Sequence, residues 1–92
     1  MKQETIKRLI YTLWDDISTL SSDNPSFYAN IYARKYNDIL KELKTLYTNE
    51  SFIQNQLELA AVKDDSMELA RLMRNVISSV NQLKAFLEEE SN

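Results

Sequence analysis

The stretch Leu69-Ala70-Arg71-Leu72-Met73-Arg74-Asn75-Val76-Ile77-Ser78-Ser79-Val80-Asn81-Gln82-Leu83-Lys84-Ala85-Phe86-Leu87 decides the fold. Leu69, Leu72, Met73, Val76, Val80, Leu83 and Leu87 recur mostly at steps of three and four, which gathers them on one face of a 3.6-residue helix. A half-buried strand would alternate apolar and polar residues instead. No glycine or proline interrupts the run, so the spacing predicts one long helix over about 66–89, with this stripe as the central seam of a bundle. Asp65 with Glu68 has the form of an N-cap and third helical residue, which places the start after Lys63-Asp64-Asp65.

Moving toward the N-terminus, Ser51 with Gln54 fits the same capping pattern and predicts a helix over about 51–62. Its apolar residues divide between two faces, Ile53, Leu57, Ala60 and Ala61 on one and Phe52, Leu59 and Val62 on the other. That is the pattern of a segment enclosed on both sides. Because no helix breaker lies beyond Ser51, a single bent helix over 51–89 is the alternative. A further helix is predicted over about 25–47, with Tyr28, Ile31, Tyr32, Tyr36, Ile39, Leu43, Leu46 and Tyr47 inward and Asn30, Arg34, Asn37, Asp38, Lys41 and Thr45 outward. Pro25 suits its first position, capped by Asp23 or Asn24. Ile6, Leu9, Ile10, Leu13, Ile17 and Leu20 form the stripe of a first helix over about 2–20. The expectation is therefore all-α: an antiparallel up-and-down bundle of three to four helices in one domain, 1–92.

Composition agrees. The 92 residues contain no glycine and one proline, so the positive-φ positions that hairpin turns require have no ready supplier. Eleven basic and fourteen acidic residues give a net charge of −3, which offers no general attraction for nucleic acid or anionic lipid. The opening MKQETIKRLI lacks the apolar core of a signal peptide, and no segment reaches the roughly 18 apolar residues of a membrane span. A soluble cytoplasmic protein with no membrane insertion is expected.

Chemistry is constrained by what is missing. Without Cys or His there is no thiol nucleophile, no imidazole base and no thiolate or imidazole metal site, and phosphate-binding glycine loops cannot occur. The acidic groups Asp15-Asp16, Asp64-Asp65 and Glu88-Glu89-Glu90 could be read as ligands or a carboxylate pair. Neighbouring helical positions, however, diverge by about 100°, so caps and solvated ends explain them better. Tyr28, Tyr32 and Tyr36 with Arg34 and Lys35 have the composition of a single-strand binder, but they share a side with Ile39 and Leu43 and fit a partly buried stripe. No catalytic, cofactor-binding or metal site is expected, and enzymatic activity is not.

The anomaly lies in the first helix. Tyr11 falls about 150° and Trp14 about 90° from the mean direction of the stripe, so neither shares its face. With Lys7 and Ser18 on their flanks, they make a candidate protein-contact patch. A second copy of the chain would cover both these aromatics and the split faces of 51–62, so a homodimer is the expected association.

Leu13-Trp14-Asp15-Asp16-Ile17-Ser18, a polar turn, and the run ending in Leu43 resemble the first half of the pediocin-type bacteriocin immunity proteins. Those are small cytoplasmic four-helix bundles that protect a producer cell by acting with a membrane receptor. They are commonly basic, whereas this chain carries a net charge of −3, and the likeness covers its first half. The expectation is a non-catalytic protein–protein interaction module, with a small inhibitor or immunity-like protein as the alternative and a DNA-associated regulator as the second alternative.

Overall fold

The computed structural model describes residues 2–20 and 25–90. In chain order the elements are α1 (Gln3–Ser18), a 3-10 turn (Pro25–Tyr28), α2 (Ala29–Leu46), α3 (Ser51–Gln54) and α4 (Ser66–Glu90). There is no strand among these residues, and the chain is an all-α bundle. The caps proposed for Pro25, Asp23 and Asn24, lie outside the described residues.

Every residue of the predicted α4 seam is buried, from Leu69 to Leu87. Asp65 is the cap, its Oδ1 accepting from the backbone N–H of Met67 at 2.9 Å and of Glu68 at 3.1 Å. Although three glutamates oppose the helix dipole at the far end, α4 persists to Glu90. Leu87 is buried there, and Lys84 pairs with Glu88 at 2.6 Å one turn apart.

α1 contributes Ile6, Ile10 and Leu13 to the core and runs antiparallel to the other long helices. Gln3 at its start hydrogen-bonds the Tyr47 hydroxyl just past the end of α2. Tyr47 in turn meets Phe86 near the end of α4, with ring centroids 5.3 Å apart, so α2 and α4 run in the same direction. Two parallel helices require a return connection, and residues 55–65 provide it.

That return segment is where the expected helix over 51–62 is corrected. Helix α3 is a single turn, Ser51–Gln54, and the chain beyond Asn55 is irregular up to α4, so neither a third long helix nor one bent helix is present. The reason lies on α2. The Asn37 amide donates to the Leu59 carbonyl at 2.9 Å and accepts from the Leu59 N–H at 2.7 Å. Asn30 does the same with Val62, at 2.9 Å both ways. Each side-chain amide thus satisfies a backbone donor and acceptor that a helix would have satisfied internally. Gln54, expected to close its own capping box, donates instead to the carbonyls of Lys44 and Tyr47 and covers the open end of α2.

The core face of α2 is also rotated from the expected one. Ala29, Ala33, Tyr36, Ile39, Leu40 and Leu43 are buried, whereas Ile31 and Leu46 stand partly in solvent. Small residues allow two backbones to approach, so the Ala29–Ala33 side of α2 faces the interior and the larger Tyr28–Ile31 side becomes its flank.

Candidate functional site

The four residues expected to form a contact patch lie on the α4 side of α1. Tyr11 and Trp14 are half-buried, Lys7 is half-buried beside them, and Ser18 is exposed. What covers the two rings is a cation. Lys84 of α4 extends across the groove with Nζ 4.6 Å from the Trp14 ring centroid and 5.2 Å from that of Tyr11, while Lys7 Nζ lies 5.8 Å from Tyr11. Glu88 completes the cluster by accepting from Lys84. The hydrogen bond from Lys84 holds the Glu88 carboxyl below its ordinary value, against the opposing effect of desolvation. The Tyr11 phenol is raised, first by desolvation and then by the charge of Glu88.

Trp14 also packs against the core and, with Ile17, Ser18, Ile77, Val80 and Asn81, lines a cleft of about 160 Å³. The cleft has room for one aliphatic side chain. Of the features that motivated a homodimer, the α1 aromatics are covered by Lys84 and α4, and Ile53, Leu59 and Val62 turn into the chain's own core, whereas Leu57, Ala60 and Ala61 stand in solvent.

A second surface is more open. Phe27, Tyr28 and Ile31 are 63%, 44% and 49% exposed and adjoin one another at the start of α2. Phe27 and Tyr28 meet edge to face at 5.7 Å, and Tyr28 meets Tyr32 at 6.4 Å, which makes a continuous aromatic ladder. Lys35 closes it, Nζ 5.6 Å from the Tyr32 ring. The tyrosine stripe changes character along its length: Tyr28 is exposed, Tyr32 half-buried and Tyr36 fully enclosed. Burial pushes the Tyr36 phenol up, with the Ser79 hydroxyl nearby pulling the other way, yet Tyr36 Oη makes no hydrogen bond. Sequence reasoning missed this ladder because Phe27 sits in the 3-10 turn, where the helical phase that sorts inward from outward residues does not yet apply.

Among the described residues, no cluster of three or more acidic, His or Cys side chains could hold a metal ion, and no helix is long and apolar enough to cross a membrane. The chain matches no protein-family model, curated protein or solved structure. The likeness to the immunity proteins accordingly rests on the α1 and α2 residues that carry it and on nothing wider.

Proposed function

We propose that this is a non-catalytic cytoplasmic module that binds another protein, with Phe27, Tyr28 and Ile31 as the anchors of the contact. The observation that carries this reading is the exposure of three adjoining large apolar side chains on one helix start, a cost in water that a partner would relieve. Lys35 at the edge supplies a charged rim. The test is affinity capture with the parent and with a Phe27→Ser, Ile31→Ser variant that retains its circular dichroism. A partner recovered with the parent and lost with the variant is the expected result. Identical recovery with both moves the contact off this surface.

The Trp14 cleft favours a second reading, in which the contact is the patch of Lys7, Tyr11, Trp14 and Ser18 and the role is that of a small inhibitor or immunity-type protein. A slot for one aliphatic side chain beside the Trp14 ring, which itself carries the Lys84 cation, suits an anchor residue from a partner or from a second copy. Light scattering on the parent and on Tyr11→Ser, Trp14→Ser separates these cases. A dimer dissolved by a still-folded variant places the second copy here.

A further inference from the structure

Residues 55–65 depend little on the core. Of them only Leu59 and Val62 pack against the buried cluster, and both are half-buried. Leu57 is 79% exposed, and the ion pair of Lys41 with Glu58, 3.4 Å between exposed side chains, is worth little in water. What sets the register is the pair of asparagines on α2, each donating to and accepting from the backbone of a single residue. This is how a strand holds its neighbour at the edge of a sheet, and it recognises backbone without regard to the side chain.

The spacings match. Asn30 and Asn37 lie two turns apart, about 10.5 Å at 1.5 Å per residue. Leu59 and Val62 are three residues apart, about 10 Å at 3.3 Å per residue of extended chain. Side chains decide at two points only, Leu59 and Val62 against the core. A turn at Asn55 and a bend at Asp64 bound the segment. Asp65 caps α4 by itself, so α4 keeps its first turn whether or not the segment is seated.

We infer that the Asn30–Asn37 face is a binding site for an extended peptide of the form aliphatic–x–x–aliphatic, occupied in the free protein by the chain's own residues 55–65, which a partner's segment displaces. The existence of a partner rests on the protein-binding reading above. The chemistry of the site does not, since its ligand is already seated on it.

The test needs no partner. The probe is a fluorescein-labelled synthetic peptide of residues 55–65, and the receptor is the full chain carrying Leu59→Asp and Val62→Asp, which ejects its own segment. Fluorescence anisotropy should show saturable binding to this variant at least tenfold tighter than to the parent, and a further Asn37→Ala should weaken it about tenfold. Equal binding to parent and variant, no binding to the variant, binding indifferent to Asn37→Ala, or a variant that no longer melts cooperatively overturns the inference. Hydrogen exchange on the parent supplies an independent readout. The Leu59 and Val62 amides should exchange at least a hundredfold faster than those of Val76 and Leu83. Equal protection means that the segment leaves only when the whole protein unfolds, and it overturns the inference however the variant behaves. Failure of the Phe27 surface in affinity capture would leave both readouts unchanged, so the two proposals fail separately.

Discussion

Replacing Asn37 by Ala isolates what the side-chain clamp contributes. Two hydrogen bonds are lost, at 2.7 and 2.9 Å to the N–H and carbonyl of Leu59. A net value of about 0.5–1.5 kcal/mol for each gives an upper limit near 3 kcal/mol. Leu59 is only half-buried, so water reaches the freed groups and the loss should fall to about 1–2 kcal/mol. For a chain of this length that lowers the melting temperature by about 5–15 °C. Asn37→Asp should lose a similar amount, because it keeps the acceptor for the Leu59 N–H and sets a negative charge against the Leu59 carbonyl. Asn30→Ala should behave like Asn37→Ala at Val62. The double variant is the sharper measurement. Once either clamp is gone the segment is partly free, so the second loss should be smaller than the first, with a coupling of about 0.5 kcal/mol or more. Thermal and urea unfolding followed by far-UV circular dichroism would measure all four proteins. A Asn37→Ala variant that melts within about 1 °C of the parent, or a double variant whose losses simply add, would refute the reasoning.

Val80 is 1% exposed in the α4 seam, so Val80→Asp should unfold the protein, a buried unpaired charge costing several kcal/mol against a total of about 5–15. A cooperative melt near the parent temperature would show the seam to be misplaced. Tyr36→Phe removes a buried hydroxyl that has no partner, and should leave the melting temperature unchanged or raise it by the equivalent of about 1 kcal/mol; a clear fall would show that Ser79 holds that hydroxyl. Burial raises the phenols of Tyr32, Tyr36 and Tyr47 above the ordinary 10.0, so their contribution is complete below pH 10 and is lost as the pH climbs through the folded values. The melting temperature should therefore fall above pH 10, and fall less in Tyr36→Phe than in the parent.

How much of this was visible in the sequence depends on how local each cause is. The α4 seam is legible because seven apolar positions repeat on one face, and its start because Asp65 reaches only two and three residues ahead. The α2 core face is not, because hydropathy weights the large Tyr28 and Ile31 above Ala29 and Ala33, whereas close packing against a neighbour favours the small pair. Residues 51–62 are rich in good helix formers, so local propensity favours a helix there. The amides that override it sit 22 and 32 positions away in sequence, on a face that looks merely polar. Gln54 has the same history: Glu50 and not Ser51 is the N-cap of α3, no side chain bonds back at that cap, and the Gln54 donor is bonded across the turn to α2.

The candidate contact residues divide along the same line. That Tyr11 and Trp14 depart from the α1 stripe follows from counting angles. That Lys84 covers them does not, since a hydropathy scale assigns lysine to solvent while its ammonium lies over two rings and meets Glu88. The cover on the other side of the bundle is of a different kind. α1 joins the core through three buried side chains and its flanking aromatics, whereas residues 55–65 offer two half-buried ones and are held chiefly by two amides. Apolar burial resists local opening along its whole length, but a clamp of exchangeable hydrogen bonds opens once water or another backbone replaces four of them. The bundle thus has one side fixed by packing and one closed by a segment that another extended chain could imitate, and the second is where the proposed peptide would gain access.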